Sequence, residues 1–256
     1  MESEYLTYSS KLSYNREAFL INYREELAMF EESNALLHNL GLFISKTRDI
    51  NGDSHVSLLF FIGIIERQAR IAFDCITRFQ AFTAWITFRP ALESVLIIGK
   101  FIDNPHNSEI WMNRKEFRKE FRKEFTGKGL VPQSLPLAKE FRKLLTKIND
   151  EFVHSNWNYL KKNYQQIPTD SGSVFIIPYI DEDFFEHRVF LYSFLHIYRL
   201  MIVSIGQALE PKFGRKRELQ IDHKIMEEVL KPKVVKLVNR HPDSVNILKI
   251  FGLWKL

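Results

Sequence analysis

The sequence predicts an all-α protein, a bundle of about six mostly antiparallel helices with a short helical C-terminal tail. Three observations carry that expectation. Ten Gly and nine Pro are few for 256 residues, and they gather at a handful of places, leaving long stretches free of helix breakers. Apolar residues recur at helical spacings, and the 22 Phe suit long helices packed by aromatic rings. Only one short segment, SVFIIPYI, reads as β-like.

The elements follow in order. Residues 1–13 read as a polar arm. Asn15 to about Thr47 reads as one amphipathic helix, its stripe supplied by Phe19, Ile21, Tyr23, Leu27, Phe30, Leu36, Leu37, Leu40 and Phe43. RDINGDS (48–54) is a turn with an Asp/Ser cap. A second helix spans about 55–78 and a third about 79–102. No Gly or Pro separates them, and ordinary helix length favours two helices over one. Pro90 removes a backbone hydrogen bond within the third and predicts a kink. DNPHNS breaks the chain before a fourth helix at about 109–125. A loop precedes a fifth helix at about 137–162. SVFIIPYI reads as extended loop or a short hairpin. A sixth helix covers about 182–208, EPKFGRKREL is a basic linker, and 219–256 supplies one or two short helices. The domain reading is an arm (1–13), a bundle (14–210) and a linker with helical tail (211–256).

Composition excludes several classes. The single Cys75 rules out an intrachain disulfide framework and a cysteine-rich zinc site, and its apolar setting suggests an inert thiol. The polar N-terminus lacks a signal-peptide core. The best membrane candidate, residues 79–98, carries Arg89, Pro90 and Glu93 at its centre, so no membrane partner is expected and a cytoplasmic location follows. A net charge of +5 permits RNA or an acidic protein as partner. Phe-rich faces in excess of one bundle's needs suggest a homodimer. No metal-ligand spacing, P-loop, dinucleotide fingerprint or nucleophile elbow occurs, so no metal or cofactor is expected.

Two features invite a functional reading. Arg89 and Glu93 lie four apart in the apolar run FQAFTAWITFRPALESVLIIGKF. Charges in a buried helix need partners, and Arg before Glu is the weaker order for such a pair, so a third member is expected. The second feature is the tetrapeptide Arg-Lys-Glu-Phe, repeated three times over residues 114–125. On one helix it would set Arg114, Arg118 and Arg122 in a row. Lys115, Lys119 and Lys123 would form another, and Phe117, Phe121 and Phe125 an apolar one. The basic rows suit phosphates; the bland alternative is a solvated helix docked by its Phe row. Two further groups read as structural: an Arg70–Asp74–Arg78 ion ladder, and His196 as a core histidine.

FRPALESVLIIGKFID (88–103) and the later INDEFVHSNWNYL (148–160) resemble a group of uncharacterised bacterial helical proteins, some of them distantly HEPN-like. The resemblance covers about residues 60–200. In that group an Arg-x-x-x-Glu on an apolar helix recurs with a later His near Ser or Tyr. The matching positions are Arg89, Glu93 and His154, with Ser155 following. HEPN ribonucleases carry Arg, four to six residues, then His. Arg48 to His55 and Arg217 to His223 fit, although Asn51-Gly52 puts a turn inside the first. The resemblance thus implies two candidate catalytic sets, Arg89/Glu93/His154 and Arg48/His55. If the fifth helix packs beside the third, His154 can meet Glu93 with Arg89 neutralising the carboxylate, as a general base requires. A register-fixing structural network is the alternative. Two functions stay open: an intracellular binding module for protein or nucleic acid, or a metal-independent HEPN-like ribonuclease in a defence or toxin system.

Overall fold

Two aromatic residues, Tyr23 and Phe79, set the corners of the bundle. The computed structural model describes residues 3–47, 53–150, 165–169, 172–176, 184–221 and 226–240. The first helix, α1, runs Glu4–Asn22, and α2 runs Arg24–Lys46. The predicted polar arm is therefore helical from Glu4, and the continuous helix from Asn15 is broken at one residue. Tyr23 leaves the helical region (φ −120°, ψ 43°), yet its N–H still donates to Phe19 O at 2.9 Å and its carbonyl accepts from Leu27 at 3.0 Å. The ring of Tyr23 stacks on Phe19 at 4.7 Å. Packing fixes this bend, so no Gly or Pro announces it.

Helix α3 (Asp53–Thr77) and helix α4 (Ala81–Asp103) form the most extensive helix pair. They are two helices, as base rates favour. The corner is a Schellman cap: Gln80 N–H donates to Cys75 O at 2.9 Å and Phe79 N–H to Ile76 O at 3.0 Å. The left-handed position, usually Gly, is Phe79 at φ 60°. Its buried ring stacks on His187 at 4.0 Å, which holds the strained backbone in place. Helix α4 continues through Pro90.

The predicted fourth helix is two short ones, α5 (His106–Met112) and α6 (Arg118–Phe125), separated by a turn. A 3₁₀ turn, Gly127–Leu130, leads to α7 (Ala138–Ile148) beside α4. The predicted continuation of the fifth helix to Lys162 lies outside the described residues. Strand β1 (Gln165–Thr169) pairs antiparallel with β2 (Gly172–Ile176), with Gln165 opposite Ile176. SVFI is thus one arm of a short hairpin whose partner, QQIPT, carries no strong β signal.

Helix α8 (Phe184–Phe213) runs past the expected end at Ala208. Phe213 meets Phe43 edge-on at 5.6 Å, and Gly214 at φ 71° closes the helix with its N–H on Glu210 O at 2.8 Å. Helix α9 (Lys231–Arg240) follows a short π turn (Met226–Leu230); Leu230 of the turn and Val234 and Leu237 of the helix enter the same core. Two helical stretches, Ala81–Asp103 and His187–Phe213, are long and apolar enough to cross a membrane. In the bundle they are core helices, the second 89% buried over its apolar window. The fold is all-α apart from the hairpin.

Candidate functional site

The i,i+4 spacing brings Arg89 and Glu93 together, and the packing of α7 supplies a third member. Arg89 Nη1 donates to Glu93 Oε2 at 3.2 Å, and Nε donates to Asn149 Oδ1 at 2.5 Å. Asn149 keeps helical dihedrals at the end of α7. The pair is not buried, contrary to what the apolar helix suggests. The side chains are 32% and 37% exposed, because the N-terminal half of α4 keeps one open side at Thr83, Ile86, Arg89 and Glu93. The C-terminal half, from Ser94 to Ile102, is wholly buried. A half-exposed pair of this kind stabilises by only about 0.5 kcal/mol. Water reaches it, so it is open to a ligand.

His154 and Ser155 lie outside the described residues, as do Arg48 and His223. The side chain of His55 is likewise outside them, although its backbone belongs to the first turn of α3. Helix α2 ends at Lys46 and α3 begins at Asp53.

The repeat is built differently from the continuous ladder that the sequence suggests. Its first copy, Arg114–Phe117, is a turn, and only the second and third copies form α6. Arg114 and Lys115 therefore leave the rows of Arg118/Arg122 and Lys119. Arg114 instead lies over Trp111, 5.5 Å from the ring centroid, a cation–π contact that competes with helix continuation. Phe125 is buried against Phe101, and Phe121 stacks on Phe125 at 5.3 Å. The row of Phe side chains thus docks α6 as expected.

One partner of the repeat was not legible in the spacing. Lys100 sits near the end of α4, 9% exposed, and its Nζ donates to Glu124 Oε2 at 2.5 Å. One of the three repeat carboxylates is thereby turned inward and neutralised. Arg114, Lys115, Arg118, Lys119, Arg122 and Lys123 all remain exposed. Among the described residues Arg118, Lys119 and Arg122 make no ion pair.

Other charges pair differently from the sequence expectation. Asp74 takes Arg78 at 2.9 Å and Arg16 at 3.5 Å, while Arg70 turns back to Glu66 at 2.8 Å, so only the Asp74–Arg78 rung of the expected Arg70–Asp74–Arg78 ladder forms. His196 is buried, as a core histidine should be, and the equally buried Arg199 pairs with Glu32 at 3.1 Å. The sequence also gives no local sign of a charged cluster at the Tyr23 corner. Lys233 of α9 bonds Glu25 at 2.7 Å and the buried Glu26 at 2.5 Å. Burial works against the Lys233 charge, but these two hydrogen bonds outweigh it and hold its pKa above the usual lysine value. The same bond holds Glu25 below the usual carboxylate range. The phenol of Tyr192 is pushed up to about 12, first by burial and then by Glu26. No group of three or more metal-ligating side chains occurs among the described residues.

No protein-family model, curated protein or solved structure matches the chain.

Proposed function

We propose that the chain is a non-enzymatic helical module that binds nucleic acid, RNA foremost, through the basic face of residues 114–123, in the cytoplasm. One observation carries the reading. The repeat spends its Phe row and Glu124 on the protein itself, through Phe125 and Lys100, and turns its Arg and Lys side chains to solvent. Glu116 and Glu120 stay exposed among them and lower the field, which suits moderate, salt-sensitive binding. Phosphate contacts of this kind position a nucleic acid without reading its bases.

The test is fluorescence anisotropy of a labelled single-stranded RNA with the wild type and with Arg118→Ala/Lys119→Ala/Arg122→Ala. These side chains are exposed, so the fold should survive. The reading expects affinity to fall at least about tenfold in the variant. Equal affinity, or binding to an acidic protein and not to RNA, would displace it.

A metal-independent ribonuclease of HEPN-like type is the second reading. It is favoured by the water-accessible Arg89–Glu93–Asn149 cluster, since Asn149 leads directly into the segment that bears His154. Such an enzyme commonly builds its site across a homodimer. Cleavage of RNA by a dimeric wild type, lost in His154→Ala without loss of fold, would establish it. Intact RNA across a broad panel would remove it.

A further inference from the structure

Three long helices of the bundle run the same way and finish at one end. Trp85 meets Phe190 at 5.8 Å and Phe88 meets Phe194 at 4.8 Å, so α4 and α8 advance together. Phe30 meets Phe194 at 6.0 Å and Phe43 meets Phe213 at 5.6 Å, which sets α2 parallel to both. Their C-terminal ends at Lys46, Asp103 and Phe213 therefore share one end of the bundle. The repeat docks at this same end, since Lys100 and Phe101 in the last turn of α4 hold Glu124 and Phe125.

The segment that follows α8 adds charge there. Arg215, Lys216 and Arg217 are exposed, and none makes an ion pair among the described residues. Compensation of the α8 dipole does not account for them. That effect fades beyond the last turn, and all three follow the Gly214 cap. Lys46 and Lys212, each in the last turn of its helix, serve that role. Desolvation lowers the pKa of Lys212 and the Asp103 charge opposes it, so α8 ends beside α4. Asp103, Glu210 and Glu218 dilute the field at this end, as Glu116 and Glu120 do on the repeat.

The segment is held in place, although its sequence reads as a linker. On one side Phe213 packs against Phe43. On the other, Leu219 is buried, and its carbonyl oxygen would lie 2.8 Å from a methyl carbon added at Gly206. A 3₁₀ turn, Arg217–Leu219, lies between these anchors, with the Leu219 N–H on Lys216 O at 3.0 Å. The backbone bearing the three cations is thus ordered before a partner arrives, which spares the partner the entropy of ordering it.

We infer that Arg215, Lys216 and Arg217 form a second phosphate-binding element, which holds the same nucleic-acid strand as the repeat, so that the strand crosses the end of the bundle where α2, α4 and α8 finish. The inference rests on the proposed nucleic-acid reading of the repeat. Both elements lie beside the end of α4, and a helix with its side chains is about 10–12 Å across. They are then within about 25 Å of each other, a span of about seven nucleotides at about 3.4 Å each. A longer strand reaches both, and the linked contacts raise affinity without reading bases.

The test is fluorescence anisotropy with a labelled 20-nucleotide single-stranded RNA across a range of salt concentrations. Four proteins are compared: the wild type, Arg215→Ala/Arg217→Ala, the repeat variant Arg118→Ala/Arg122→Ala, and a charge-matched control, Lys11→Ala/Arg24→Ala. The control residues are exposed and lie at the opposite end, where α1 meets the Phe79 corner and α2 begins. The turn variant should lose at least about fivefold in affinity, with the slope of log K against log salt concentration falling by about one to two. The control should change by less than about twofold. If alanine disturbs the turn, Arg215→Gln/Arg217→Gln should give the same loss with the melting temperature unchanged. Loss in the repeat variant alone would overturn this inference and leave the repeat as the binding face. Equal loss in the control would also overturn it, by showing that net charge suffices. Absence of RNA binding by the wild type at low salt would remove both readings.

Discussion

His187 should make this protein unusually sensitive to mild acid. Its ring is wholly buried, stacked on Phe79 at 4.0 Å and met by the edges of Phe19 and Tyr23 at 6.2 and 6.3 Å. Desolvation, helped by the neighbouring Arg188 charge, lowers its pKa from 6.5 to about 4. The unfolded chain takes up this proton near pH 6.5, and the folded chain not until about pH 4. Between those values the unfolded state binds more protons, so stability is present above pH 6.5 and is lost as pH falls toward 4. The whole shift corresponds to about 3 kcal/mol, and about 2 kcal/mol of it is gone by pH 5. Carboxylates also titrate in this range, so the informative quantity is a difference between two proteins. His187→Phe keeps a ring against Phe79 and has no proton to accept. Urea unfolding at pH 7 and pH 5 should show the wild type losing about 2 kcal/mol more than the variant. Parallel losses in the two proteins would refute the reasoning, because the imidazole would then be hydrated or hydrogen-bonded in the fold.

Three other perturbations have definite expectations. Lys233→Met leaves the buried Glu26 carboxylate without its partner and should cost about 2–3 kcal/mol in urea unfolding, largely restored by adding Glu26→Gln; a loss below about 0.5 kcal/mol would show that the pair is solvated. Gly129→Ala would place its methyl carbon 1.7 Å from the Lys123 carbonyl oxygen, so the 3₁₀ turn must pull away from α6; a drop in stability of at least about 2 kcal/mol is expected, and a neutral substitution would contradict the close approach. Burial, with Asp74 adding to it, raises the Cys75 thiol above its usual pKa, so iodoacetamide should label it more slowly than a free thiol at pH 8 and catch up only in denaturant; equal rates before and after unfolding would contradict that.

What the sequence disclosed and what it hid divide along local and non-local lines. The helix content and the Arg89–Glu93 pair follow from residues within one or two turns of each other, whereas the separation of α3 from α4 rested on ordinary helix length alone. The packing of α7 beside α4 was only a condition of the sequence reading, and it brings Asn149 to Arg89. By contrast, the break at Tyr23 and the left-handed Phe79 depend on rings stacked from distant elements, and neither residue type signals a corner. The Lys233–Glu26 contact joins residues 207 apart, and no spacing rule reaches that far. The repeat misled because identical tetrapeptides suggest identical structure. The first copy turns where Arg114 reaches Trp111, while the third is anchored by Lys100 from α4.

On the proposed function, the exposed Arg and Lys of the repeat bind a phosphate backbone. The most direct measurement is the salt dependence of RNA affinity, taken for the wild type and for Arg118→Ala/Arg122→Ala. Each arginine that contacts a phosphate contributes about one to the slope of log K against log salt concentration. The account predicts that the slope falls by about two in the double variant while the melting temperature stays unchanged. A slope identical to that of the wild type, or no RNA binding by the wild type at low salt, would contradict it.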